Sequence, residues 1–333
     1  MDWSLDRRLQ ARMALTLVAL AALTVALGAG VAVGIGFLLT LGAGVVDLSL
    51  SWTTATVVGV PVTLVAGAVV LRRTLADPPA EAFDADEVDA SEYPLLYATV
   101  TRVAQAADLP VPAIHVAERE TPLAMTTGLR TDGAQLVVST GLLDVLDTQE
   151  LEAVVAHELA HVKNRDAAVM TLVELPLSSA RTLGAALRSS AGVHPVLLAG
   201  SAATYVVWGT GRTLVASLSR SRELAADRGA TALLGDPSAL ASALDALADD
   251  VSATPETDAR ARGLAALSVV PSPRGDPGPA LTYEKRRPIL WSLRLPVRRF
   301  RRRLNVRVLR PLLATHPATD ERVERLREFT RSS

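Results

Sequence analysis

The stretch Asp147-Thr-Gln-Glu-Leu-Glu-Ala-Val-Val-Ala-His-Glu-Leu-Ala-His-Val-Lys-Asn-Arg-Asp166 decides how the rest of this 333-residue chain is read. Asp147 and Glu150 have the spacing of a capping box, which predicts a helix starting at Asp147 and continuing to about Asp166. His157 and His161 stand four residues apart on it, so both imidazoles project from one face and can grip one ion. Glu158 borders that face and can reach a water molecule held there without binding the ion itself. This is the H-E-x-x-H arrangement. Three fixed residues also arise by chance on an amphipathic helix, so the motif gains weight only with a third ligand.

That ligand is offered by Ser219-Arg-Ser-Arg-Glu-Leu-Ala-Ala-Asp227, where Glu223 and Asp227 stand four apart on a second predicted helix. Glu223 can complete a two-histidine, one-carboxylate site. Asp227 can accept the ring N–H of a liganded histidine, His157 foremost, and so fix its tautomer. Alone, such a pair is an ordinary solvated helix face; beside a His-Glu-x-x-His helix it is a ligand candidate. Zinc suits two imidazoles, and in a catalytic site three protein ligands leave a position for water, whose pKa falls to about 7. Glu158 would then take the proton and pass it to a leaving amine.

Composition narrows the setting. The chain is 49% hydrophobic and 21% charged with mean hydropathy +0.28, which means its apolar residues are concentrated in blocks and excludes a disordered protein. A net charge of −1 provides no global field for nucleic acid. With no cysteine, a metal site must use histidines and carboxylates, and there are five histidines.

Residues 13–46 and 48–71 carry no charged side chain, and each run is long enough for a spanning helix of about 20 residues. They predict an N-terminal membrane domain, 1–73, with a helical hairpin at about 13–39 and 53–71. Arg7, Arg8 and Arg12 precede it and Arg72 and Arg73 follow, which places both ends in the cytoplasm by the positive-inside rule. Residues 74–93 are acidic, Pro-interrupted and expected to be a solvated linker. In the remaining domain, 94–330, helical spacing runs from Tyr93 to Ala107, and Ala113–Ala117 and Gln135–Ser139 have strand character.

Residues 167–218 separate the two ligand helices. Ser189 to Gly211 is uncharged, whereas Ala167 to Leu187 carries Glu174, Pro176 and Arg181, and a charge at a span centre costs about 2.5–3.5 kcal/mol. Because His161 and Glu223 must meet at one ion, the chain between them crosses a bilayer an even number of times. The two segments therefore form a second hairpin or both remain embedded, and the hairpin is favoured. His194 in this region and His115 on the first strand read as structural. From Lys285 to Arg310 there are eleven cations and no acid. Few aromatics and no nucleic-acid motif accompany them, so anionic lipid is the expected partner, at about 1 kcal/mol per residue near the surface.

His157 to Asp166, Ser219 to Asp227 and Thr315-His-Pro-Ala-Thr-Asp-Glu-Arg322 occur in that order behind an apolar hairpin. Together they resemble the HtpX family of membrane zinc metalloproteases, relatives of the CAAX prenyl endopeptidases, over roughly residues 10–330. The resemblance implies a mainly α, integral-membrane protein with a zincin-type α+β metalloprotease domain and four membrane segments. It implies one Zn2+ per chain held by His157, His161 and Glu223, with Glu158 as catalytic base. It also brings His316 and Arg322 near the site, to touch substrate or the developing oxyanion. One departure is visible: relatives often carry Asn-Ala before a small-residue turn and glycine, where this chain has Leu123-Ala-Met-Thr-Thr-Gly128. That difference bears on substrate contacts and leaves the ligand set intact.

The expected activity is endoproteolysis of membrane or misfolded proteins on the cytoplasmic side of the cell membrane, with substrate strands added to a sheet edge in 113–140. The alternatives are a CAAX-type prenyl-protein endopeptidase, which would need more membrane helices, and a scaffold with a structural zinc, which would need a fourth ligand such as His316. The sequence assigns no oligomeric state.

Overall fold

The computed structural model describes residues 7–45, 85–190, 195–253 and 316–332, with residues 313–314 and single positions between 51 and 72. Two compact units account for these: Ala11–Pro78 with Val169–Val215, and Met1–Gln10, Pro79–Ala168 and Ala216–Ser333.

In the first unit, α1 (Arg7–Val45) is a continuous helix of 39 residues. Its portion Ala11–Gly36 is long and apolar enough to cross a membrane. Thr16 and Thr24 donate their hydroxyls to the carbonyls of Arg12 and Leu20, so neither needs water. The described positions between 53 and 72 are helical, and a Cβ on Gly59 would lie 2.5 Å from the Ala32 carbonyl oxygen, so the two backbones touch. The full extent of the expected second span lies outside the described residues.

Residues of this unit also belong to two further long helices, Asp166–Ser190 and Pro195–Leu234. Their contacts pair Ser201 with the Gly184 carbonyl at 2.9 Å and Arg212 with Glu174, while Leu177 packs on Gly211. Partners that rise in one helix as they fall in the other mean an antiparallel pair. The outward positions Leu172, Val196, Leu198 and Val206 are exposed and apolar.

The second unit holds a four-stranded sheet, the remaining helices and the outer ends of the two long ones, 166–168 and 216–234. After α1 the elements in chain order are β1 (Ala85–Glu87), α2 (Pro94–Ala106), β2 (Ala113–Ala117), β3 (Ala124–Thr127), β4 (Gln135–Ser139), α3 (Thr140–Val145), α4 (Thr148–Lys163), α5 (Asp166–Ser190), α6 (Pro195–Leu234), α7 (Pro237–Ala253) and α8 (Thr319–Ser332). The sheet order is β1-β2-β4-β3, with β2 parallel to β4 and antiparallel pairing at both margins. Leu136, Val137 and Val138 fill β4, as a strand covered on both faces requires.

β1 lies inside the acidic stretch that the sequence marks as linker. Strand pairing uses backbone atoms alone, so Asp86 and Glu87 stay exposed while their backbones pair with Val116 and His115. Charged residues on a margin strand also discourage pairing with another chain. β3 contains the Ala-Met-Thr-Thr segment and pairs only with β4 among the described residues. It ends at Gly128, whose φ of +105° suits glycine alone.

A shared core joins the sheet to α2, α4, α7 and α8. Val100 and Val103 of α2, Ile114 of β2, Val154 and Leu159 of α4, Leu240, Leu244 and Leu247 of α7 and Leu326 of α8 are all buried in it. Each such side chain contributes about 1.5–3 kcal/mol by leaving water. The α4 capping box is fully formed: Glu150 N donates to Asp147 Oδ1 at 2.8 Å, and Asp147 N donates to Glu150 Oε2 at 3.0 Å. Ser242 of α7 donates to the other Glu150 oxygen at 2.5 Å, which ties the start of α4 to α7. α4 stops at Lys163 rather than at Asp166; Asn164 and Arg165 form a turn, with Arg165 at φ +55°, and Asp166 opens α5.

Candidate metal centre

His157 and His161 face each other from successive turns of α4, with Nε2 atoms 3.1 Å apart and ring planes at 84°. Both belong to the buried interior. α6 brings Glu223 against them: Oε2 lies 3.6 Å from His157 Nε2, and Oε1 lies 3.8 Å from His161 Nε2. One ligand atom from each residue falls within 4.8 Å of the others.

What lies behind each ring decides what the Nε2 atoms can do. His157 Nδ1 is 3.0 Å from Asp227 Oδ1, the partner foreseen from the i, i+4 spacing on α6. His161 Nδ1 is 2.6 Å from Asp166 Oδ2, a contact the sequence reading did not anticipate. A carboxylate at Nδ1 holds the proton there and leaves Nε2 with its lone pair. Two lone pairs 3.1 Å apart, with a buried carboxylate beside them, repel one another unless a cation sits among them. Glu223 Oε2 accordingly makes no hydrogen bond despite its burial. Two imidazoles and a carboxylate are donors suited to a divalent transition ion, so the residues fit a resident metal.

Without a metal the cation is a proton. Burial opposes protonation of His157, but the adjacent carboxylates of Asp227 and Glu223 outweigh it and lift the pKa to about 9, against the lesser opposing charge of Arg322. Burial also works against the charge of Glu223, yet the neighbouring His316, His157 and His161 keep its carboxyl well below the usual range.

Arginines secure the two backing carboxylates. Arg322 of α8 grips Asp227 with both arms, Nε to Oδ2 at 3.0 Å and Nη2 to Oδ1 at 2.6 Å, and its Nη1 lies 3.4 Å from Glu223 Oε2. Arg222 Nε lies 3.1 Å from Asp166 Oδ1. Burial raises the pKa of Asp166, but the His161 hydrogen bond and the charges of His161 and Arg222 leave it lowered. His316 approaches the centre through Nδ1, 3.6 Å from Glu223 Oε1.

Glu158 is fully buried beside the histidines. Thr126 of β3 donates to its Oε2 at 3.0 Å, while Oε1 has no hydrogen-bond partner among the described residues. Burial pushes its carboxyl up, against the charges of His161 and His157. A carboxylate with one oxygen anchored and the other free is arranged to exchange a proton at that free oxygen. Thr126, Asp166 and Arg222 are the site residues that sequence reasoning missed. The only signal was the position of Asp166 and Arg222 within the two quoted motifs.

His115 of β2 is buried with both ring nitrogens unpartnered among the described residues, and it stands apart from the metal ligand set. His194 and the arginine-rich segment 285–310 lie outside the described residues.

A His-Glu-x-x-His helix completed by a carboxylate from a second helix is the arrangement of metallopeptidases, and sequence comparison agrees. Residues 91–330 match the model of peptidase family M48, and the chain belongs to that family. It is 37% identical over 286 residues to "Protease HtpX homolog 1" of Streptomyces coelicolor, covering 82% of this chain and 86% of that protein. It is 38% identical over 200 residues to "Protease HtpX homolog 2" of Methanosarcina mazei, covering 56% and 67%. A "Protease HtpX homolog" of Burkholderia multivorans is 31% identical over 257 residues, covering 75% and 79%. The protein is an HtpX-like metalloendopeptidase, with a metal as its cofactor and polypeptides as its substrates.

Proposed function

We propose that the chain is a multi-pass cell-membrane zinc endopeptidase, cutting membrane or misfolded proteins on the cytoplasmic side. In this reading His157, His161 and Glu223 hold the zinc, Asp227 orients His157 and Glu158 is the general base. The observation that carries it is the pair of opposed Nε2 atoms with both Nδ1 atoms backed by carboxylates. A zinc ion held by these three residues would supply Lewis acidity there, making a water acidic and polarising a carbonyl. Glu158 takes the proton at Oε1 and returns it to the leaving amine, while Thr126 fixes Oε2 and hence the direction of Oε1. Arg322 Nη1 and His316 lie against Glu223 and are the cationic groups available to an oxyanion.

Membrane residence is supported by the apolar Ala11–Gly36 segment and by the arginines around the two uncharged runs. The antiparallel pairing of α5 with α6 favours two further crossings, an even number compatible with the meeting of His161 and Glu223 at one ion. The Glu174–Arg212 ion pair offsets the cost of the acid within α5. The domain limits 1–73, 74–93 and 94–330, the lipid role of 285–310 and a part in protein quality control belong to the same proposal.

The test compares the purified wild type with Glu158→Gln on an unfolded protein substrate. The variant is expected to keep a stoichiometric zinc content and to lose at least a hundredfold in cleavage rate. Equal cleavage by both proteins would remove Glu158 from the chemistry.

A further inference from the structure

A cleft opens where β3 ends, bounded by Gly128 and Arg130 on one side and by His161 and Arg165 on the other, with Arg222 also lining it. Arg222 is only 3% exposed; its Nε lies 3.1 Å from Asp166 Oδ1, while its Nη1 makes no hydrogen bond among the described residues. Asp166 is already shared, because its Oδ2 serves His161 Nδ1. A buried guanidinium with an unused Nη1 is costly, and a carboxylate entering the cleft would satisfy it.

The charge of the lining points the same way. Arg130, Arg165 and Arg222 line the cleft, and Asp166 is its only acid among the described residues. Arg130 is paired with Asp132, whereas exposed Arg165 has no ion pair among the described residues. Arg165 also occupies φ +55°, where glycine would sit without strain. The backbone there favours glycine, yet the chain presents a cation to the cleft.

We propose that this cleft is a carboxylate subsite, which gives the protease a preference for substrates with an anionic group close to the scissile bond. The proposal rests on the reading that His161 holds the catalytic ion, since that places the cleft beside the chemistry. The carboxylate can come from an Asp or Glu side chain or from the C-terminus of the substrate.

The experiment uses the full-length, metal-loaded protein in detergent. A library of unstructured peptides is digested and the cut positions are read by mass spectrometry. Matched peptides then carry Glu or Gln at the enriched position, each with a free or an amidated C-terminus. The expected result is about a tenfold higher kcat/KM for the anionic member, the ordinary worth of a charge-assisted hydrogen bond. A Glu-over-Gln effect identifies the side chain as the source, and a free-over-amide effect identifies the chain end.

Arg165→Gly should keep or raise the thermal midpoint, because it relieves the backbone, while lowering the anionic-to-neutral ratio. Arg222→Gln should bring that ratio close to one. Cleavage without enrichment of anionic groups would overturn the subsite and leave the protease reading standing, as would an unchanged ratio in both variants. No cleavage of any peptide would overturn the protease reading and the subsite with it.

Discussion

Replacing Asp166 with Asn separates two roles that a single carboxylate plays. Its Oδ2 receives His161 Nδ1 at 2.6 Å, and its Oδ1 faces Arg222 Nε at 3.1 Å. Losing the first contact frees the imidazole to rotate or change tautomer, and partners of this kind are worth roughly 10- to 100-fold in metal affinity, or about 1.4–2.7 kcal/mol. Losing the second leaves a buried guanidinium without its counter-charge, which costs about 3–5 kcal/mol. The weak hydrogen-bond geometry of Arg222 favours the lower end, about 3 kcal/mol. The double variant Asp166→Asn/Arg222→Gln tells the losses apart. Thermal unfolding of the metal-free proteins should show stability recovered in the double variant. Zinc competition against a chromophoric chelator should show affinity still reduced, because no anion backs His161. If Asp166→Asn binds zinc within twofold of the wild type, or the double variant regains full affinity, the orienting role assigned to Asp166 is wrong.

Two further outcomes follow from the same geometry. In the metal-free protein the His157 pKa is raised from 6.5 to about 9, so its contribution to stability is complete below pH 6.5 and disappears as pH rises through about 9. The thermal midpoint of the metal-free protein should therefore fall across that window, by an amount equivalent to a few kcal/mol, while the metal-loaded protein, where the ion replaces the proton, stays level. Equal pH profiles would refute this. Asp147→Ala removes the α4 cap and should cost about 1 kcal/mol in thermal or denaturant unfolding with zinc affinity unchanged; a loss of affinity would mean that the cap also sets the histidine geometry.

Local periodicity made the centre legible. The i, i+4 spacings on α4 and α6 are properties of the helix alone, so His157, His161, Glu223 and Asp227 could be grouped before any tertiary contact was known. The capping box likewise lies within four residues, and both of its bonds are present. Asp166 escaped notice because it lies beyond the helix end, and only the left-handed turn at Arg165 swings it back beneath His161. Thr126 depends on how the sheet margin lies across α4, which no spacing records. β1 was hidden because its acidic side chains argue for solvent while its backbone does the pairing.

Arg322, which grips Asp227, belongs to α8, and α8 follows α7 only after an interval of some 65 residues. Val323 and Leu326 bury themselves in the common core, and Arg327 reaches Asp245 of α7 at 2.9 Å. α8 thus has its own anchorage, independent of the peptide bonds that precede it. A single chain cut between Ala253 and Thr319 should leave a two-fragment enzyme that elutes as one particle, its smaller piece lodged like a dissociable subunit. Release of that piece on gel filtration would show that covalent continuity is what keeps the helix in place.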